Sequence, residues 1–250
     1  MQTQQSRALR LGVLFLVMAL LPVEAMAAVG RIYYTSGGVY IERGTEKVPA
    51  TKDSLLESGD VIVTEFDGRA QWRMADDSFF AIRPDSRFRI DEYQEPAKGG
   101  AGGKAFYSLL KGGFRNISGL IGKSDPAAYQ VKSPVATLGI RGTDHTHVLC
   151  QGDCGWAGSN IADGLYTRVD EGSSFLSNPE GGLEVKGGQY AETLSAPKLV
   201  DTAPTVFLTW EVDFRIDIGL IVEFEHEGSL RIEPVIEPCL PVPSPNQPCP

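Results

Sequence analysis

The chain has 250 residues, with 23 Lys and Arg against 32 Asp and Glu and a formal net charge of −9. This acidic balance argues against nucleic-acid binding and against adhesion to anionic lipid, because both favour basic surfaces. The 28 Gly and 16 Pro residues, together with the lack of any long stretch of helical periodicity, favour short strands joined by turns.

Residues 1–27 have the three parts of a secretory signal peptide. Arg7 and Arg10 form a basic start, and Leu11–Leu21 is a short apolar stretch. Ala25-Met26-Ala27 then fits a cleavage site. The apolar stretch has 11 residues, whereas a membrane-spanning helix needs about 20. We therefore expect an exported chain, periplasmic or secreted, with no membrane span once the signal is removed.

The first half of the chain predicts strands in which apolar residues occupy every second position. The clearest are Ala70-Trp72-Met74, Phe80-Ile82 and Phe88-Ile90. This period of two is typical of strands with one buried face, and the regular spacing of these strands fits a β meander or a β-solenoid. Three more strands are predicted upstream, at Ile32–Tyr34, Val39–Ile41 and Val61–Val63.

The second half follows a Gly-rich loop at Glu95–Lys104. Ala105–Leu110 fits the start of a helix or of a strand. Short apolar segments separated by Gly, Asn and Pro predict further strands at Val131, Val135–Thr137, Thr146–Leu149, Leu165–Val169, Ser174–Leu176, Leu183–Val185, Gln189–Thr193, Val206–Val212 and Ile216–Phe224. The predicted fold class is all-β, with short antiparallel or coiling strands in a β-solenoid-like or β-sandwich arrangement.

The chain ends in a Pro-rich segment and contains four cysteines. Pro234–Pro250 has seven Pro in 17 residues and predicts an extended tail. Cys150 lies close to Cys154, and Cys239 lies close to Cys249. In an oxidising compartment these pairs predict two local disulfides, although four cysteines permit three connectivities.

Three segments, in this order on an exported chain, resemble the FecR domain, the periplasmic module named after a regulator that senses ferric citrate uptake. They are Gly59–Thr64 (GDVIVT), Asp76–Ile82 (DDSFFAI) and Tyr129–Thr143 (YQVKSPVATLGIRGT). The resemblance runs from about residue 56 to about residue 169. It departs from the family at Asp76-Asp77-Ser78, where relatives have Asp-Gly-Ser, and the turn there is expected to be longer than in relatives.

The resemblance implies a non-catalytic all-β module, without a cofactor, that engages an envelope protein or a cell-wall or surface glycan. On this basis residues 28–196 are predicted to form the FecR-like domain, residues 197–233 additional strands, and residues 234–250 the tail. The best-known relatives are membrane regulators that bind a sigma factor in the cytoplasm, and that signalling role is not expected here. The alternative is a structural envelope component tethered by its tail.

Three residues are predicted to contribute to binding. Gly139 and Gly142 flank Arg141, so the backbone is expected to turn tightly there. Arg141 then either pairs with a carbonyl or carboxylate at a sheet edge or binds a ligand. The loop from Cys150 to Trp156, which includes Asp153, presents Trp156 either as a recognition tip or as an aromatic packed onto the end of the fold. This loop and one edge of the sheet are the predicted interaction surface.

His145 and His147 are weak candidates for a metal site. On a strand they share one face, but with Asp144 they supply too few ligands, because zinc sites have at least three from the protein. We therefore expect both to be exposed polar residues. A metal-dependent enzyme built around them is the least favoured alternative, since the chain has no G-x-S-x-G, H-E-x-x-H or phosphate-binding loop. The adjacent pair Asp76-Asp77 is expected to be a solvated turn.

Overall fold

The computed structural model describes residues 27–97, 102–158, 161–207, 220–224 and 230–234. Strands dominate these ranges. They are β1 (Gly30–Ser36), β2 (Val39–Arg43), β3 (Glu46–Pro49), β4 (Leu55–Leu56), β5 (Val61–Thr64), β6 (Arg69–Met74), β7 (Phe79–Ile82), β8 (Ser86–Gln94), β9 (Lys104–Ile117), β10 (Tyr129–Lys132), β11 (Thr137–Cys150), β12 (Gly164–Asn178), β13 (Gly181–Lys186), β14 (Tyr190–Thr193), β15 (Pro197–Val200), β16 (Leu220–Phe224) and β17 (Leu230–Pro234). A short helix, α1, spans Leu120–Ser124, and 3-10 turns occupy Pro126–Ala128 and Gly155–Ala157.

The predicted all-β fold is confirmed. Strands β1 to β15 form one mixed sheet, and β16 pairs with β17. The parallel pair is β9 with β10, and the other pairings of this sheet are antiparallel.

Three long strands, β9, β11 and β12, connect two layers of this sheet. The start of β9 pairs with β8 and β10, and its end pairs with β7 and β11. The end of β12 pairs with β13, and its start pairs with β14. One layer therefore contains β2, β3, β5, β8, β10 and β13, the other contains β1, β4, β6, β7, β14 and β15, and the long strands contribute to both.

Each long strand contains a glycine with positive φ where it passes from one layer to the other: Gly112 (+74°), Gly142 (+57°) and Gly172 (+76°). Space is equally tight at Gly112 and Gly172, where a Cβ atom would lie 2.0 Å from the Ser86 hydroxyl oxygen and 2.0 Å from the Gly142 carbonyl oxygen, respectively. At Gly142 itself the nearest atom would be 3.9 Å away. The expected tight backbone is thus found at Gly142, but Gly139 has φ outside the positive region and open space around it.

An aromatic cluster fills the space between the layers. The Trp72 and Phe80 rings of one layer stack with centroids 5.1 Å apart. Phe88 of the other layer lies 5.6 Å from Trp72 and 5.4 Å from Phe80. All three side chains are fully buried, and each stabilises the fold by about 2–3 kcal/mol. The layers therefore face each other across one core, as in a sandwich.

Asp60 of the Gly59-Asp60 motif forms a partly buried ion pair with Arg43. Asp60 is fully buried and accepts hydrogen bonds from Nε and Nη2 of Arg43, at 2.8 and 2.7 Å. It also accepts one from the Glu57 amide at 2.8 Å. These bonds offset the cost of burying a carboxylate, and the hydrogen bond to Asp60 raises the pKa of Arg43. Asp60 in this motif thus has a structural role.

The turn at Asp76-Asp77 differs from the expectation of two solvated carboxylates. Asp76 is fully buried and accepts hydrogen bonds from the Ser78 hydroxyl at 2.7 Å and the Ile121 amide at 3.2 Å. It therefore fixes α1 against the β6–β7 hairpin. Asp77 is exposed and has φ of +66°, a conformation that favours Gly.

The strands predicted in the first half of the chain are confirmed, and Ala105–Leu110 is part of strand β9. Two predictions were wrong. Val135 and Ala136 lie in a turn before β11, and residues 205–207 are helical where a strand was predicted from Val206. Residues 1–26 of the predicted signal peptide and residues 235–250 of the tail, with Cys239 and Cys249, lie outside the described residues.

Candidate functional site

Two separate surface concavities contain the predicted binding residues. Trp156 and Asp153 line a cleft of about 390 Å³, which we call the Trp156 cleft. Arg141 lines a concavity of about 470 Å³, which we call the Arg141 cavity. The structure therefore brings two of the three candidates together and separates the third from them.

A disulfide closes the loop that forms one wall of the Trp156 cleft. The predicted pair Cys150–Cys154 is bonded, with an S–S distance of 2.00 Å and Cα atoms 5.4 Å apart. Both sulfurs are buried in a small apolar cluster with Val148 and Phe207. A 3-10 turn follows at once, in which the Ala157 amide bonds the Cys154 carbonyl at 2.9 Å. The disulfide and the turn together fix the position of Trp156.

Two aromatic side chains flank the Trp156 cleft. Trp156 is 41% exposed, and Cζ of Arg83 lies 3.4 Å from the centroid of its ring. Trp156 is therefore partly packed and partly presented to solvent, between the two predicted arrangements. Across the cleft Phe66, between Glu65 and Asp67 in a turn, is 84% exposed.

The rim of the Trp156 cleft has charges of both signs. Nζ of Lys111 bonds both carboxylate oxygens of Asp85, at 2.6 and 2.7 Å, and lies 3.9 Å from Oδ2 of Asp153. The other oxygen of Asp153 accepts a hydrogen bond from the Gln151 amide at 2.9 Å. Arg69 and Arg83 also line the cleft. The site thus offers hydrogen-bond donors and acceptors beside two aromatic rings.

The Arg141 cavity lies where β11, β12 and β13 meet. Its lining includes Arg141, the 52% exposed ring of Phe175, and Glu184. Arg141 is exposed, and its side chain makes no hydrogen bond or ion pair within the described part of the chain. The expected pairing with a carbonyl or carboxylate is therefore not found there.

His145 and His147 are fully buried, which corrects the expectation that they are exposed. They do share one face of β11, as predicted, and their Nδ1 and Nε2 atoms are 2.6 Å apart. The described residues contain no group of three or more His, Cys, Asp or Glu side chains that could hold a metal ion. The two imidazoles instead belong to a hydrogen-bonded chain of side chains.

The partners in that chain fix the proton on each imidazole. Asn116 donates through Nδ2 to the Phe79 carbonyl at 3.0 Å, so its Oδ1 accepts from the Tyr129 hydroxyl at 2.9 Å and from Nε2 of His145 at 3.2 Å. Nδ1 of His145 is then free of a proton and accepts from Nε2 of His147. Nδ1 of His147 in turn accepts from the Thr167 hydroxyl at 2.9 Å.

Both histidines are therefore neutral in the folded protein. Burial lowers the pKa of His145 to about 4, and burial also lowers the pKa of His147 well below its usual value. A proton added to Nδ1 of His145 would face the Nε2–H group of His147, and the ring nitrogens of the pair make no hydrogen bond to a carboxylate that could balance a buried positive charge.

Two contributors to the Trp156 cleft were missed from the sequence. Phe66 could have been found, because the sequence places this large aromatic residue between two carboxylates, a setting that favours exposure. Arg83 carried none, since its contact with Trp156 joins residues 73 positions apart. That contact depends on how the strands pair.

The family model described as FecR protein matches residues 60–154. The match starts at the buried Asp60, includes the Asp76–Ile82 and Tyr129–Thr143 segments, and ends at Cys154. Residues 60–154 are therefore similar to the FecR domain, over a narrower range than the predicted 56–169.

Two crystal structures of a protein described as a "putative anti-sigma factor" from Parabacteroides distasonis are similar to this chain at 10% sequence identity. Each comparison covers 60% of this chain, with TM-scores of 0.45 and 0.43. The chain spans less than two thirds of those structures, 64% and 62%. No curated protein matches the chain. Across the described ranges, no helix has the length and apolar character needed to cross a membrane.

Proposed function

We propose that this protein is an exported, non-catalytic binding or scaffold module that engages an envelope protein or a surface glycan through the Trp156 cleft. The observation that carries the proposal is the placement of two exposed aromatic side chains, Trp156 and Phe66, on one concave surface. Trp in particular is enriched among the residues that dominate binding energies.

The cleft is also preorganised. The Cys150–Cys154 disulfide and the contact with Arg83 hold Trp156 in place before any ligand arrives. A residue that is already ordered loses less conformational entropy on binding.

Three further observations support the remaining parts of the proposal. The FecR domain supports a regulatory or binding role. The histidines considered for catalysis are buried and have their ring nitrogens bonded to each other and to neutral side chains. The signal-like residues 1–27 support a periplasmic or secreted location.

The test is capture from envelope extract by the immobilised protein, run beside sedimentation with peptidoglycan and with insoluble polysaccharide. We expect one ligand to be retained by the unaltered protein and lost with Trp156→Ala or Phe66→Ala. Phe175→Ala is the matched control, because it removes an exposed aromatic ring from the Arg141 cavity instead. Equal capture by all four proteins would overturn the assignment of the cleft.

A further inference from the structure

We infer that the Trp156 cleft binds an uncharged saccharide. This inference rests on the proposed function and specifies its ligand. It depends on the size of the cleft, on the kind of groups that line it, and on the balance of their charges.

The size of the cleft suits a small ligand or one short segment of a polymer. Its volume of about 390 Å³ is near the lower end for small-molecule sites, which have about 300–1,000 Å³. A stable contact with a folded protein instead needs a face of about 800 Å² on each partner. One or two sugar rings fit the smaller space.

The aromatic groups provide apolar contact area of the kind that a sugar ring needs. A pyranose has C–H groups on its faces, and these pack against aromatic rings. Phe66 as a residue is 84% exposed, so a large part of its apolar surface is available. Arg83 stacks on Trp156, so the ligand meets the part of the indole that this guanidinium leaves open.

The polar groups on the rim match the hydroxyl groups of a saccharide. A hydroxyl both donates and accepts hydrogen bonds. Of the residues that line the cleft, Asp85 and Asp153 accept and Arg69 donates. Lys111 already bonds Asp85, so the carboxylate is held in position for further hydrogen bonds.

The charge balance favours an uncharged ligand over an anionic one. The charged residues that line the cleft are Arg69, Arg83, Asp85 and Asp153, two of each sign, so no single sign dominates. The whole chain has a net charge of −9 and repels polyanions at long range. Acidic polysaccharides are therefore expected to bind more weakly than neutral ones.

The experiment is affinity electrophoresis of the purified full chain in native gels that contain dextran, arabinoxylan or mixed-linkage β-glucan, with polygalacturonate as the anionic probe. We expect retardation by at least one neutral polysaccharide, a loss of affinity of about tenfold or more for Trp156→Ala and for Phe66→Ala, and no change for Phe175→Ala. Thermal unfolding of each variant establishes that it is folded.

Three results would overturn the inference: no retardation by any neutral polysaccharide, equal retardation of the Trp156→Ala variant, or a preference for polygalacturonate. If saccharides fail but an envelope protein is captured through Trp156 and Phe66, the ligand class is wrong and the proposed function stands. If neither a saccharide nor an envelope protein is captured, the ligand class and the proposed function are both wrong.

Discussion

Nε2 of His147 donates a hydrogen bond of 2.6 Å to Nδ1 of His145, so the two buried imidazoles are held in matching neutral tautomers. A further proton on Nδ1 of His145 would face the Nε2–H group of His147. On the Nε2 side of His145 lies Asn116, and on the Nδ1 side of His147 lies Thr167. The nearest charges that act on His145 are those of Asp144 and Arg115, which pair with each other at 2.5 Å.

We expect acid to destabilise the fold through this pair. The unfolded histidines bind protons below a pKa of about 6.5, whereas the folded pKa of His145 is about 4 and that of His147 is also lowered. The two histidines therefore do not lower the free energy of unfolding above pH 6.5. As the pH falls from 6.5 towards 4, the unfolded chain binds protons that the folded protein does not, and the free energy of unfolding decreases. The slope approaches about 1.4 kcal/mol per pH unit for each histidine. Urea unfolding at pH 7.5, 6.0 and 5.0 measures it.

The tautomers can be read independently from ring ¹⁵N chemical shifts, which distinguish an Nε2–H imidazole from an imidazolium. Both rings should remain neutral at pH 5.5 in the folded protein. A charged ring at that pH, or a pH profile unchanged in a folded His147→Gln variant, would contradict the assignment.

The bends of the long strands should differ in their tolerance of a side chain. Gly142→Ala meets no close neighbour, so it should cost about 1–2 kcal/mol, the penalty for a non-glycine residue with positive φ. Gly172→Ala has the same backbone penalty and also places Cβ 2.0 Å from the Gly142 carbonyl oxygen. It should cost about 3 kcal/mol or more. Chemical denaturation measures both, and Gly139→Ala, at an open site, should be nearly neutral.

Asp77 offers a route to a more stable protein. Its φ of +66° is unfavourable for Asp, and it forms an ion pair with Arg73 at 2.6 Å on the surface. Asp77→Gly should stabilise by up to about 1 kcal/mol, because relief of the backbone exceeds the loss of a surface ion pair. Asp77→Ala loses the same ion pair and keeps the strain, so it should be less stable than the parent. Melting temperatures in the opposite order would refute the assignment of strain.

The Cys150–Cys154 disulfide should support both stability and binding. Replacing both residues with Ser should lower the free energy of unfolding by about 2 kcal/mol, as expected for a short loop. The environment of Trp156 should change with it, which tryptophan fluorescence detects. The control is Cys239→Ser with Cys249→Ser, which should leave the Trp156 signal as in the parent. Equal changes in both double variants would exclude a specific role for the Cys150–Cys154 disulfide in the environment of Trp156.

If residues 1–27 are a signal peptide, the exported protein should begin at one defined residue. Intact-mass measurement of the protein recovered from the periplasm or medium should give a chain that begins at Ala28, after loss of residues 1–27. A double variant with Ala25→Leu and Ala27→Leu should keep its signal peptide, because the cleavage site requires small residues. Recovery of the unaltered chain with residues 1–27 attached would contradict the signal-peptide assignment.

The sequence by itself determined the local features of this protein. The alternation in Ala70-Trp72-Met74 and Phe88-Ile90 predicts strands with one buried face, because a strand places neighbouring side chains on opposite sides. The spacing of Cys150 and Cys154 predicts their bond, since a four-residue separation keeps them within reach. The order of the FecR-like segments likewise predicts the similarity to the FecR family model that residues 60–154 show.

Only the tertiary structure decided the features that depend on strand pairing. The sequence predicts two separate strands where the structure has the single strand β12, because Gly172 at the bend interrupts the alternation of apolar and polar residues. His145 and His147 look like surface residues, since alternation alone does not say that Asn116 and Thr167 will supply their hydrogen bonds. Phe66 and Trp156 lie far apart in the chain and share a cleft through the packing between them. Local spacing fixes which side of a strand a residue occupies, whereas the groups that it meets there are set by distant parts of the chain.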